Sequence, residues 1–149
     1  MTTEIHEGGC LCGEVRYRVT GPLADVIACH CRMCRRTSGH YVASTAAPRE
    51  YFELTESTGL AWYQSSETSR RGFCKFCGSS LFFDHGPEEP MGIAAGSLDG
   101  DPALSLVAQI YVDEAGRYYT IREDGEVFDG ASWRGGGWQR FRTRDLVSL

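Results

Sequence analysis

"GGCLCGEVRYRV" (residues 8–19) sets two cysteines one residue apart, then alternates apolar Val15, Tyr17 and Val19 with charged Glu14, Arg16 and Arg18. A period of two belongs to a half-buried strand, and Gly21-Pro22 ends it. The stretch decides the fold because it joins a β framework to a pair of soft metal ligands. Similar short runs recur between turn signals: "YFEL" (51–54), "LAWYQS" (60–65), "SLFFD" (80–84), "GIAAG" (92–96) and "LVAQIYV" (106–112). "QIYV" and "RYYTI", joined by Asp113, Glu114, Ala115 and Gly116, are expected to form a hairpin. Helix is expected for a turn or two over residues 31–37, stopped by Gly39, with helical or turn-like character near residues 101–104. The expected fold is mainly β and mostly antiparallel, with metal knuckles at strand ends and little helix.

A chain of 149 residues with 42% hydrophobic residues is the size of a single globular domain. Its formal net charge of −5 provides no overall basic field, which argues against nucleic acid and anionic membranes as partners. The start, "MTTEIHEGGC", lacks the basic and apolar regions of a signal peptide, and no apolar run approaches the roughly 18 residues of a membrane span. The expected location is cytoplasmic. Seven cysteines, an odd number, in a reducing compartment point to metal rather than disulfides. "WRGGGWQRF" (133–141) separates the body from a tail, "RTRDLVSL", and Arg140, Arg142 and Arg144 there read as a solvated face.

The cysteines fall into three groups: Cys10 and Cys12 (CxC), Cys29, Cys31 and Cys34 (CxCxxC in "ACHCRMCRRTSG", 28–39), and Cys74 and Cys77 (CxxC in "FCKFCGSSL", 73–81). A CxxC followed by glycine is a zinc-knuckle pattern in which two sulfurs converge on one ion and Gly78 permits the tight backbone. One knuckle needs a second pair, and the N-terminal CxC supplies it. Cys10, Cys12, Cys74 and Cys77 are therefore expected to close a structural zinc site spanning about 60 intervening residues. Cys29, Cys31 and Cys34 remain with an open fourth position, the arrangement of a catalytic zinc, so two zinc ions per chain are expected. Two other arrangements stay open: a histidine completing the triplet, or the triplet serving the structural ion with another pair left free. Thioredoxin-like redox chemistry at Cys74 and Cys77 is disfavoured because no βαβ pattern precedes "FCKFCG".

The order "GGCLCG", "CHCRMCRRTSG", "RRGFCKFCGSSL" and "GSLD" closely resembles the glutathione-dependent formaldehyde-activating enzyme family, which includes S-(hydroxymethyl)glutathione synthases. The resemblance runs from about Gly8 to Phe128, so residues 6–128 read as the zinc-binding domain and 129–149 as a C-terminal extension. It implies a β-tent fold of several small antiparallel sheets. It also implies the same division of cysteines into structural and catalytic ligands. The implied activity is that of a carbon–sulfur lyase: adding glutathione, or a similar small thiol, to formaldehyde or a similar aldehyde, or the reverse. Two other readings are a non-catalytic zinc scaffold or chaperone module and a zinc-thiolate glutathione carrier.

Glutathione is anionic, and Arg35, Arg36, Arg70 and Arg71 lie beside cysteine groups. Arg71 matches the family arginine two positions before "FC" and is the first candidate for a substrate contact; the alternative is a sheet-edge arginine. His30 is expected to point away from the ion that Cys29 and Cys31 face, whereas His40 is a candidate supporting group or fourth ligand. His6 and His85 read as turn or surface residues, and Trp62, Trp133 and Trp138 as core or lid. Ser97, Leu98 and Asp99 of "GSLD" read as a turn stabilised by the aspartate side chain. Where relatives usually carry a histidine before an apolar strand and a tryptophan downstream, this chain has Gln109 and then Tyr118 and Tyr119.

Overall fold

The computed structural model describes residues 4–138. The tail arginines 140, 142 and 144 lie outside the described residues. Among those described, strands β1 (Ile5–Gly9), β2 (Arg16–Thr20) and β5 (Phe52–Glu56) make a small antiparallel sheet in the order β1-β2-β5. The larger sheet takes β3 (Val26–Cys29), β4 (Val42–Ala47), β6 (Leu60–Gln64), β7 (Arg70–Cys74), β8 (Ser80–Asp84), β9 (Met91–Ala94), β10 (Leu106–Ile110) and β11 (Glu126–Val127). Its order is β11-β10-β3-β4-β9-β8-β7-β6, antiparallel except where β10 lies parallel to β3 and β11. The fold is mainly β, as the sequence led us to expect.

Alternation decides which residues meet. Val15, Tyr17 and Val19, all fully buried, pack on Leu81, Phe82, Met91 and Ile93 of the large sheet to make the core. Each such side chain contributes roughly 1.5–3 kcal/mol by leaving water. Tyr17 meets Phe82 edge-on at 5.4 Å, and Phe52 meets the same ring at 5.2 Å. Burial lifts the Tyr17 phenol to about 12, so it stays protonated and donates to Ser97 Oγ at 2.7 Å, which in turn donates to the Ala94 carbonyl at 2.7 Å. The opposite face of the large sheet, carrying Phe83 and Gly92, is left to line a cavity.

The helix forms where expected, as α1 (Arg32–Ser38), with Gly39 closing it at φ 84° and donating to the Arg35 carbonyl at 2.8 Å. The expected hairpin is absent. The strand ends at Ile110, Tyr111 turns into left-handed backbone (φ 56°, ψ 41°), and residues 112–114 form a single 3-10 turn. Both edges of β10 are already taken, by β3 and β11, so "RYYTI" has no strand to pair with. Residues 101–104 form no helix; Asp101 Oδ1 accepts from the Ala103 amide in a local turn. Asp99 does not brace its own turn either: its carboxylate pairs with Arg16 on β2, and its amide donates to the Glu7 carbonyl at 2.9 Å. "GSLD" thus ties the small sheet to the large one.

Asp84 is buried between Arg49 and Arg70 and accepts from Arg70 Nε at 2.9 Å and from the Gly86 amide at 3.0 Å. Burial opposes its ionisation, but the Arg49, Gly86 and Arg70 hydrogen bonds prevail and hold its carboxyl below the usual range. Stability from such a group is present above the unfolded carboxylate pKa and is lost as pH falls through the lower folded value. Asp84→Ala is expected to lose about 2 kcal/mol at neutral pH, less than the roughly 3–5 for a fully buried pair because both arginines keep solvent. Urea denaturation checks this, and variant and wild type should converge as the pH drops below the carboxylate range.

Candidate metal centre

The first cluster is assembled by two strand ends. Cys10 follows β1, Cys12 sits in the next turn, Cys74 ends β7 and Cys77 follows it, and the four Sγ atoms lie within 4.8 Å of one another. Cys12 Sγ is 3.7 Å from both Cys10 and Cys74, although 62 positions separate it from the latter. The backbone supports the sulfurs. The Val15 amide donates to Cys10 Sγ at 3.2 Å, and Gly78, at φ 80°, returns its amide to the Cys74 carbonyl at 2.8 Å. Gly59 is needed as well, since a Cβ there would stand 2.9 Å from Cys74 Sγ. Hydrogen bonds from the Ser79 hydroxyl and amide lower the Cys77 thiol to about 5.

The second cluster is made by one short stretch. Cys29 ends β3, Cys31 caps α1 and Cys34 lies in its first turn, again with all Sγ atoms within 4.8 Å. The Cys34 amide donates to Cys31 Sγ at 3.3 Å. Hydrogen bonds from Cys29 and Cys34 hold Cys31 low, while the same crowding pushes Cys29 up. All seven cysteines are free thiols, and each cluster could hold a metal ion.

Arg71 reaches this triplet. Both of its terminal nitrogens lie 3.8 Å from Cys34 Sγ, and its guanidinium sits over the Phe83 ring at 5.0 Å. Its Nε is buried without a hydrogen-bond partner. Arg70, one residue earlier, points to the other face and covers Trp62 at 3.9 Å. Of the four arginines considered from sequence, Arg71 alone lines the cavity.

His30 points away from the triplet, as alternation required. It is buried, holds Gln109 Oε1 at 2.7 Å through Nε2 and meets the Tyr119 hydroxyl at 2.5 Å through Nδ1. With Gln109 Oε1 as acceptor, Nε2 carries the proton and Nδ1 accepts from Tyr119; burial lowers the imidazole pKa and keeps it neutral. Gln109 and Tyr119 thus brace the loop between two candidate ligands. His40 joins neither cluster: it bonds Tyr118 at 2.9 Å and lies against Tyr41 and Tyr119, which removes it as a fourth ligand. His6 lies in β1. His85 is exposed in the loop after β8, as read from sequence, and there it stacks on Phe83 and borders the cavity.

That cavity, about 780 Å³, runs along the triplet and over the free face of the large sheet. Trp133 and Trp138, read from sequence as core or lid, belong to its wall, whereas the part played by Tyr111 was not legible. Tyr111 borders it, and residues 130–138 fold back over it, contributing Trp133 and Trp138. This return is pinned by the Gly130 amide donating to Asp113 Oδ1 at 2.9 Å and by Trp133 against Phe128 at 5.5 Å. Only the left-handed backbone of Tyr111 signals the turn, and nothing in the local sequence requires it.

Comparison with known proteins accords with this geometry. The family model described as "Glutathione-dependent formaldehyde-activating enzyme" matches residues 5–114, and the chain belongs to that family. A Schizosaccharomyces pombe protein named "Uncharacterized lyase" is 26% identical over 125 residues, covering 83% of this chain and 90% of the relative. A Halomonas elongata protein named "Putative glutathione-dependent formaldehyde-activating enzyme" is 30% identical over 104 residues, covering 64% of this chain and 66% of its own length. The crystal structure of a Rhodobacter sphaeroides protein superposes with a TM-score of 0.52 at 29% identity, covering 63% of this chain and 88% of that one.

Proposed function

We propose that the protein is a zinc-dependent carbon–sulfur lyase that joins glutathione, or a similar small thiol, to an aldehyde and catalyses the reverse cleavage. The observation that carries this reading is the pairing of a closed four-thiol cluster with a three-thiol cluster that opens on a cavity. All-thiol donor sets of four and of three suit a structural and a catalytic zinc respectively. Cys10, Cys12, Cys74 and Cys77 hold the first ion; Cys29, Cys31 and Cys34 hold the second. A zinc at the triplet supplies a position where a thiol sulfur loses its proton at neutral pH.

The chain's own residues do the rest. Arg71 offsets the negative charge of the triplet through Cys34 and presents N–H groups to a carboxylate in the cavity. The neutral His30, held between Gln109 and Tyr119, fixes the Cys29–Cys31 turn without adding charge. Phe83 lines the cavity beside the triplet. In the forward reaction the thiol S–H bond breaks, sulfur bonds to the carbonyl carbon and the oxygen gains the proton. The reverse reaction breaks the C–S bond. Seven free thiols support a reducing, cytoplasmic setting, and no helix among the described residues is long and apolar enough to cross a membrane.

Two measurements test the reading. Metal analysis is expected to return two zinc ions per chain, in line with the two clusters. Magnetisation exchange between formaldehyde with glutathione and their adduct is expected to accelerate with protein in proportion to its concentration. Zinc-loaded protein that leaves the exchange rate at its solution value would identify a carrier or scaffold instead.

A further inference from the structure

We propose that the aldehyde handled here is larger than formaldehyde: one bearing an apolar group of ring size or longer, received by the wall that Ile27, Ile110, Tyr111, Trp133 and Trp138 build beside Cys29. The inference rests on the thiol–aldehyde reading and adds the class of electrophile to it.

Size is the first argument. Formaldehyde is close to a water molecule in bulk, about 30 Å³, against a cavity of about 780 Å³. Glutathione, whose γ-linked glutamyl residue adds two methylenes to the length of a tripeptide, extends to about 13 Å. The cavity floor runs from Arg71 on β7 to Ile110 on β10, which is five inter-strand steps or about 24 Å. Glutathione and formaldehyde together leave roughly a third of that length unfilled.

The distribution of chemistry is the second argument. On the β7–β8 side the cavity presents Arg71, Ser66, Ser69, His85 and Glu89, groups suited to a zwitterionic peptide. On the β3–β10 side it presents Ile27, Ile110, Tyr111 and the two tryptophans, with the charged Arg32, Glu114 and Arg134 among them. The triplet lies where the two sides meet: Arg71 stands 3.8 Å from Cys34 Sγ, while Ile110 is in register with Cys29. A sulfur at the triplet with its peptide toward Arg71 therefore directs the carbon it attacks, and whatever that carbon bears, toward the side that carries the aromatic rings.

The apolar wall is also held in place rather than draped. Gly130 packs so tightly on the Tyr111 ring that a Cβ would stand 2.9 Å from it, and Arg134 covers the same ring at 5.5 Å. Trp133 and Trp138 lie beyond the family match, which ends at residue 114. Ile27, Ile110 and Tyr111 lie within that match. The bond changes are those of any thiol–aldehyde addition: S–H breaks, S–C forms, the carbonyl π pair moves to oxygen and the proton ends there. No oxidant or reductant is needed.

The test compares acceleration over the uncatalysed rate for glutathione with formaldehyde and with phenylacetaldehyde, using zinc-loaded full-length protein. A kcat/KM at least tenfold higher for phenylacetaldehyde is expected, and Trp133→Ala should reduce that ratio tenfold or more. If Trp133→Ala does not fold, Ile27→Ala serves the same purpose. Acceleration with formaldehyde but not with phenylacetaldehyde overturns this inference and leaves the lyase reading standing; acceleration with neither overturns both. A binding measurement removes the dependence on turnover. S-benzylglutathione should bind at least tenfold more tightly than S-methylglutathione, about 1.4 kcal/mol, and equal affinities overturn the inference.

Discussion

Cys74→Ser is expected to leave most of the chain unfolded at ambient temperature, with the zinc content falling from two ions per chain to at most one. Cys74 is fully buried at the end of β7, its Sγ lies 3.7 Å from Cys12, and its neighbour Gly59 leaves no room for a repacked side chain. Zinc held by four thiolates contributes roughly 10–16 kcal/mol to folding, while a domain's whole net stability is about 5–15 kcal/mol. Losing one ligand of four therefore removes an amount comparable to everything that keeps the chain folded. The location makes the effect larger, because this cluster joins the end of β1 to the end of β7 and so fastens the small sheet to the large one. Far-UV circular dichroism during heating, with metal analysis of the same sample, reads the outcome. A Cys74→Ser protein that melts with the wild type would rule out a structural ion at this cluster.

What could be read from sequence follows from the range over which each feature is determined. The cysteine clusters were legible because CxC, CxxC-Gly and CxCxxC force sulfurs together through local backbone, and counting ligands then paired the distant groups. The orientation of His30 was legible for the same reason: between two residues facing the ion, alternation leaves it the other side. Its partners were not, since Gln109 and Tyr119 lie 79 and 89 positions away and nothing local selects them. Period two also separates Arg70 from Arg71, but which face carried the cavity depended on where β2 packed. The false hairpin shows the limit clearly. "RYYTI" has strand-like residues, yet a strand needs an unpaired edge, and whether β10 had one was settled by β3 and β11. The return of residues 130–138 over the cavity likewise depends on a tertiary hydrogen bond from Gly130 to Asp113.

Cys31→Ser is expected to have the opposite profile to Cys74→Ser: a folded protein that has lost its activity. Cys31 caps α1, and its Sγ accepts from the Cys34 amide at 3.3 Å. Serine is among the best residues for that capping role, so the substitution preserves the helix start while exchanging a soft thiolate for a hard, protonated hydroxyl. The four-thiol cluster is untouched and continues to fasten the sheets. At the triplet only Cys29 and Cys34 remain as thiol ligands. Removing a mere partner of a metal ligand typically costs about 10–100-fold in affinity or activity, so removing a ligand should cost more than the upper end of that range. Expected together are one zinc per chain, a melting temperature within a few degrees of wild type, and exchange at the uncatalysed rate. Arg71 sharpens the reading because it contacts Cys34 rather than Cys31. Its position should survive the substitution, so the lost rate is attributable to the sulfur. Exchange persisting at the wild-type rate in folded Cys31→Ser protein would move catalysis away from the triplet altogether.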